Sequence, residues 1–200
     1  MMNENIAYLR KRLAQFKKCG YDIIREREFA FKKAGFKKGK SVLEIGTGMG
    51  YMALTLARKG FKVITIDSDG RIQRFAKAIL KYYHVEKIVR FRSMNAERLE
   101  FKDGAFDYVL AVNFLHHAKD PVRCLGEMAR VAKEKVLIVD MNKRGAHILE
   151  KVHAQEGHRH DHPKIAFTEV QKFFRKAKMK VKTYRSRCQT VIVAKKGETQ

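Results

Sequence analysis

The sequence predicts an α/β protein built on a doubly wound, mainly parallel sheet, and three observations lead there. From Ser41 onward short apolar runs alternate with segments of helical periodicity; a glycine-rich stretch joins the first run to the first following helix; and the last two runs lie close enough to pair antiparallel. With only Pro121 and Pro163, no repeat and no low-complexity linker, residues 1–200 read as a single domain. A hydrophobic content of 45% over this length is sufficient for one buried core.

Each element has its own signal. Ile6, Leu9, Leu13 and Phe16, then Ile23, Ile24, Phe29 and Phe31, recur among charges at helical intervals, so residues 1–38 are expected to form a helical cover over a core spanning 40–195. Strands are read at 42–45, 63–66, 88–91, 108–112 and 136–139. After Asp69-Gly70, the residues Ile72, Phe75, Ala76, Ile79, Leu80 and Tyr83 mark the buried stripe of a helix. Asp120 before Pro121 supplies an N-cap and an N1 proline for a helix that buries Leu125, Met128, Ala129 and Ala132. Thr168 with Gln171 reads as a capping box ahead of Val170, Phe173, Phe174 and Ala177, and 181–184 and 190–194 read as the closing antiparallel pair.

Charge is the unusual quantity: 44 Lys and Arg against 21 Asp and Glu leave a net +23. The excess sits at the ends, with 12 basic and 4 acidic residues in 1–40 and 11 and 2 in 164–200. Such a field favours phosphate-rich partners; the competing reading is a solvated lysine-rich surface. Heat adaptation leaves the excess unexplained, because it adds acids along with bases. No run approaches the ~18 apolar residues of a membrane helix, and 1–12 mixes Asn3, Glu4, Arg10, Lys11 and Arg12 with no apolar signal core, so a cytoplasmic protein without a membrane partner is expected. Cys19, Cys124 and Cys188 are far apart and odd in number, indicating neither a disulfide framework nor a zinc ribbon.

The stretch VLEIGTGMGYMAL, residues 42–54, carries the functional signal. A strand that breaks into glycines and leads into a helix presents bare N–H groups and a positive helix end to a ligand, and Gly46, Gly48 and Gly50 are expected to be glycines because that ligand lies against the backbone. A dinucleotide fits poorly, since the small residue its fingerprint requires at the sixth place is here Tyr51. Asp67, at the end of the second strand and 21 residues after Gly46, stands where an acid accepts from ribose hydroxyls.

Together with NAERLEFKDGAFDYVLAVNFLHH, DPVRCLGEMARVAKEKVLIVD and FTEVQKFFRKAKMKVKTY, these motifs resemble, in order, those of the class I S-adenosylmethionine-dependent methyltransferases, in the type 11 branch that includes quinone-biosynthesis and other small-molecule enzymes. The resemblance covers about residues 40–195 and implies a Rossmann-like, seven-stranded sheet with an antiparallel last strand and S-adenosyl-L-methionine as cofactor. It further implies that Glu44 organises the loop and that Gly46, Thr47, Gly48 and Gly50 pass under the methionine part. Asp67 and Ser68 would hold the ribose, Asn95 and Ala96 the adenine, and Asn113 and its neighbours the methyl-bearing side. The family usually has Asp where this chain has Asn95, and a Lys-Pro-Gly-Gly turn where it has Lys133-Glu134-Lys135.

Methyl transfer from a sulfonium needs chiefly alignment, but a protonated acceptor also needs a base, and histidine suits neutral pH. The candidates are His116 and His117 at the end of the fourth strand, and His158 and His160 within the His-rich stretch 147–162, inside the segment 141–166 expected to shape the acceptor site. The alternation His158-x-His160-x-His162 also invites a metal reading, but no cysteine lies near and no metal is assigned. The favoured partner is a small-molecule acceptor. The alternatives are RNA bound by the basic termini, with Tyr8, Phe16, Tyr21 and Tyr184 available to stack, and a non-catalytic module that keeps only the fold. No Asn/Asp-Pro-Pro-aromatic turn follows the fourth strand, which argues against methylation of base amino groups. Oligomeric state is not specified by the sequence.

Overall fold

The computed structural model describes residues 2–155 and 165–197. In chain order these form α1 (Met2–Lys18), α2 (Ile23–Ala34), β1 (Val42–Ile45), α3 (Tyr51–Arg58), β2 (Val63–Asp67), α4 (Gly70–Tyr82), β3 (Val89–Ser93), β4 (Phe106–Val112), α5 (Pro121–Val131), β5 (Ala132–Met141), α6 (Lys143–Gln155), α7 (Phe167–Lys176), β6 (Lys180–Arg185) and β7 (Gln189–Lys195). The strands make one seven-stranded sheet of order β3-β2-β1-β4-β5-β7-β6. Strands β1 to β5 run parallel, and β7 inserts antiparallel between β5 and β6. The expected doubly wound, mainly parallel sheet with a closing antiparallel strand is therefore present.

The hydrophobic pattern explains the layering. Strands covered on both faces must be apolar at successive positions, and every residue of β1 is buried, as are Tyr108 to Ala111 of β4 and Val136 to Val139 of β5. Leu56, Val63, Ile79, Leu80 and Tyr108 pack on one face of the sheet with α1, α2, α3 and α4, while Leu125, Met128 and Phe174 pack on the other with α5 and α7. At the N-terminal edge of the central strands Asp107 accepts from the Ser41 N–H and hydroxyl, each at 2.8 Å, and meets Lys40, fixing the start of β1 against β4.

Four local expectations are corrected. Ile72 is 40% exposed; Gln73 takes its place inside, donating to the Arg92 carbonyl at 2.7 Å. Ala132 does not end a helix, and residues 133–135 do not form a turn: α5 passes directly into β5, whose first residues are paired with β4 and β7. The N-cap of α7 is Ala166, two residues before Thr168: Glu169 reaches back to the Ala166 N–H at 2.9 Å, and Gln171 instead donates to Thr183. Phe16 and Tyr21 are buried and cannot stack on a surface ligand. Asp69 and Asp120 do cap α4 and α5, each accepting from a first-turn N–H.

The basic C-terminal segment falls on α7 and on the edge strand β6, where Lys180, Lys182 and Arg185 are exposed. Charged residues on an edge strand oppose pairing with another chain, which gives these lysines a role within the fold itself. Among the described residues no helix is long and apolar enough to cross a membrane.

Gly145, to which the sequence drew no attention, fixes α6. A Cβ there would stand 2.1 Å from the Cys188 carbonyl oxygen, part of the backbone that also accepts from the Asn142 N–H. Gly145→Ala is expected to destabilise the protein by about 1–3 kcal/mol through overpacking, measured by urea unfolding; unchanged stability would contradict this packing.

Candidate functional site

After β3 the chain crosses back to lay β4 on the free side of β1, so β1 and β4 flank the point where the winding reverses. Loops diverge there at the carboxyl ends of the strands and leave a crevice. In this protein the crevice is a cavity of about 700 Å³, within the range of small-molecule sites. Its floor is the β1–α3 loop; α1, α2, their connection and α6 close it, contributing Arg12, Phe16, Tyr21, Arg27 and Leu149.

The three loop glycines have different reasons for being glycine. All have positive φ, at +80° for Gly46, +49° for Gly48 and +78° for Gly50, a region costly to side chains. A Cβ at Gly46 would stand 2.7 Å from the Phe114 ring, and one at Gly50 3.0 Å from the Ala76 Cβ, so the protein's own packing excludes side chains at both. This corrects the expectation that a ligand excludes them at all three. Only Gly48 meets nothing within 4 Å, and it lines the cavity. The loop is held by Asp67: its Oδ2 accepts from the Gly48 N–H at 3.1 Å and its Oδ1 from the Asp69 N–H at 3.0 Å. Thr47 is buried and its hydroxyl pairs with that of Thr65 at 2.8 Å.

Buried polar groups normally have partners, yet among the described residues Glu44 Oε2, Arg27 Nε and the Tyr51 hydroxyl are buried without a hydrogen-bond partner, and all three residues line this cavity. Burial pushes the Glu44 carboxyl up to about 8, against the opposing influence of Thr65 and Arg27, and raises the Tyr51 phenol to about 12. Arg27 is oriented by Gln189, whose Oε1 accepts from Nη1 at 3.1 Å; Gln189 Nε2 donates in turn to Asn113 Oδ1 at 2.9 Å. Asn113 holds a left-handed backbone, φ 52°, where the chain leaves β4.

Most of the residues expected at the site converge here. Glu44, Gly46, Thr47, Gly48, Asp67, Ser68, Asn95, Ala96, Asn113, His116 and His117 all line the cavity, whereas Gly50 lies behind it at the start of α3. The Asn95 amide oxygen accepts from the Glu97 N–H at 2.9 Å, so part of its capacity goes to shaping its own loop. That loop is anchored from α5, where Glu127 accepts from the Leu99 N–H and Arg130 donates to the Leu99 and Phe101 carbonyls. His116 is buried, with Nδ1 3.3 Å from Asp140 Oδ2 and its ring 4.1 Å from that of His117. His158 and His160, with Asp161 and His162, lie outside the described residues, while His147 and His153 stand on α6.

Arg27, Tyr51, Gln189 and Asp140 were not anticipated. A signal existed for two of them: Arg27 falls on the buried i, i+4, i+7 stripe of α2 with Ile23, Ala30 and Ala34, an unusual place for a charge, and Asp140 is an acid next to the carboxyl end of β5, much as Asp67 is at the end of β2.

Comparison with known proteins agrees with this geometry. Residues 43–139 match the methyltransferase domain family of type 11. Norajmaline N-methyltransferase of Rauvolfia serpentina is 34% identical over 104 residues, 52% of this chain and 36% of that protein. Ubiquinone biosynthesis O-methyltransferase of Sodalis glossinidius is 28% identical over 112 residues, 53% of this chain and 42% of that one. The chain thus spans less than half the length of these curated relatives. The crystal structure of a SAM-dependent methyltransferase from Aquifex aeolicus superposes with a TM-score of 0.68 at 21% identity, covering 91% of this chain and 97% of that one. On the motifs, the sheet and the match together, residues 43–139 form a class I S-adenosylmethionine-dependent methyltransferase domain of type 11.

Proposed function

We propose that the cavity holds S-adenosylmethionine and that the protein transfers its methyl group to a small-molecule acceptor. The observation that carries the reading is the set of three buried, unpartnered polar atoms in one cavity. The aminoacyl end of the cofactor is a zwitterion: its carboxylate suits the Arg27 guanidinium and the Tyr51 hydroxyl, and its ammonium suits Glu44 Oε2. The Gly48 side of the loop is the bare backbone over which that end lies. Asp67, still with lone pairs to offer, takes the ribose hydroxyls beside Ser68, and the loop of Asn95 and Ala96 takes the adenine, with exposed Ile72 at its edge.

When bound, the cofactor supplies an already activated methyl group. The chain's residues therefore contribute alignment and shelter: β1, β2 and β4 fix the three loops on one rigid sheet, and α1, α2 and α6 close over the acceptor side and exclude water. Met141 and Leu149, within the segment 141–166, give that side an apolar wall. The names of the two relatives, an N- and an O-methyltransferase, support a small acceptor. The RNA alternative rests on the basic termini alone; part of that charge guards an edge strand, and two of the aromatics it needed are buried.

Calorimetry with S-adenosylhomocysteine tests the assignment. Asp67→Ala is expected to weaken binding by about 1–3 kcal/mol; affinity equal to wild type would reject its role. Gly48→Val meets no described protein atom but strains a positive-φ backbone, so it is expected to lose some stability as well as binding, whereas retained affinity would mean that the loop is not the cradle. Below a pH of about 8 the free Glu44 carboxyl keeps its proton, and an arriving ammonium favours the carboxylate. Binding at neutral pH therefore releases a proton and strengthens as pH rises towards that value. The measured enthalpy should vary with the ionisation heat of the buffer in wild type and not in Glu44→Gln, and a buffer-independent wild-type enthalpy would contradict it.

A further inference from the structure

The last strand begins with a residue that packing alone does not require. Gln189 is fully buried at the start of β7, opposite Met141 of β5, and the strand continues with the buried apolar run Val191 to Ala194. An amide in such a place is costly unless both of its ends are paired, and both are. Its Oε1 accepts from Arg27 Nη1 at 3.1 Å and its Nε2 donates to Asn113 Oδ1 at 2.9 Å. The position thus uses a side chain that accepts at one end and donates at the other; glutamate lacks the donor, leucine lacks both, and asparagine is one methylene shorter.

The two groups that Gln189 joins line the cavity, and Gln189 lies behind them. Arg27 comes from α2, whereas Asn113 leaves β4 with a left-handed backbone, its N–H held by the Val139 carbonyl at 2.8 Å and its Nδ2 3.5 Å from the Tyr21 hydroxyl. The β6–β7 turn that carries Gln189 is itself fastened to α2. The Gln189 N–H donates to Ser186 Oγ at 2.9 Å, the Ser186 N–H donates back to the Gln189 carbonyl at 2.9 Å, and the Ser186 hydroxyl donates to the buried carboxyl of Glu26, the residue before Arg27. Arg27 is therefore held from the same turn at its guanidinium and at its neighbour on the helix.

We propose that Gln189 is a positioning residue of the donor site: it holds the Arg27 guanidinium in the orientation that receives the donor carboxylate, so that selection of a donor by its aminoacyl end depends on the β6–β7 turn. The inference deepens the assignment of Arg27 made above and rests on it. A guanidinium fixed before the ligand arrives has already lost its rotamer freedom, and that loss does not count against binding. Released from Gln189, the same guanidinium turns onto the buried Glu44 carboxyl, whose charged form it favours, and the two groups that the zwitterion needs then satisfy each other.

The test is calorimetry on the full chain with two probes: S-adenosylhomocysteine, which carries the aminoacyl end, and 5′-methylthioadenosine, which has the same nucleoside and thioether without it. Gln189→Leu is expected to weaken the first by about ten-fold or more and to change the second by less than about two-fold, a split that a merely structural residue does not produce. Arg27→Leu should show the same split. Adding Gln189→Leu to Arg27→Leu should then alter S-adenosylhomocysteine affinity by less than about two-fold, because the group through which Gln189 acts is gone. Gln189→Glu keeps the size and the acceptor and serves if the leucine variant does not fold; its carboxylate takes up the Arg27 charge and is expected to give the same split. Equal losses for the two probes, unchanged S-adenosylhomocysteine affinity in both Gln189 variants, or a full loss from Gln189→Leu in the absence of Arg27 would overturn the positioning role while Arg27→Leu still costs binding. Wild-type affinity in Arg27→Leu would instead reject the donor assignment on which the role rests.

Discussion

A carboxyl and a guanidinium buried beside one cavity are the constraint on which this site depends. Moving Glu44 and Arg27 out of solvent is costly unless each gains partners, and each retains a polar atom with none. The Arg27 charge favours the Glu44 carboxylate, but burial outweighs it and holds the carboxyl up at about 8. A ligand that brings both an anion and a cation satisfies both groups at once. The same feature explains why α2 lies where it does, since it is the element that delivers Arg27 to the end of β1.

The N-terminal helices are therefore more than a lid. The core sheet by itself offers an open crevice, as the winding rule dictates. Arg12 and Phe16 from α1, Tyr21 from the α1–α2 connection and Ile23 and Arg27 from α2 turn it into an enclosed space with an apolar side. Tyr51 links the two parts. It occupies the position where a dinucleotide fold needs a small residue, and it packs among core side chains of the helical cover while lining the cavity. The departure from the dinucleotide pattern is thus a constructive element of this site.

Much of the architecture was legible in the sequence because the signals were local and repeated. The central strands β4 and β5 carry unbroken apolar runs over Tyr108–Val112 and Val136–Val139, and Asp69, Asp120 and Pro121 mark helix starts through chemistry confined to one turn. The misreadings share a cause, which is competition between local signals and tertiary packing. Thr168-x-x-Gln171 fits a capping box, but Glu169 caps the Ala166 N–H and moves the start of the helix two residues earlier. Ile72 fits the buried stripe, yet it sits where the cavity replaces the core, and Gln73 is drawn inside by a carbonyl of β3. The glycines were read as one class, although Gly46 and Gly50 answer to Phe114 and Ala76, partners 68 and 26 positions away that no spacing rule reaches. Arg27, Gln189 and Asn113 form a chain of hydrogen bonds across three elements, and only their arrangement in space reveals it.

A crystal structure of the full chain grown with S-adenosylhomocysteine examines the central claim most directly. The account predicts the aminoacyl end lying over Gly48, with its carboxylate within hydrogen-bonding distance of Arg27 and its ammonium at Glu44. Density that placed that end away from both residues, or a Glu44–Arg27 pair closed on itself with the ligand elsewhere, would contradict it.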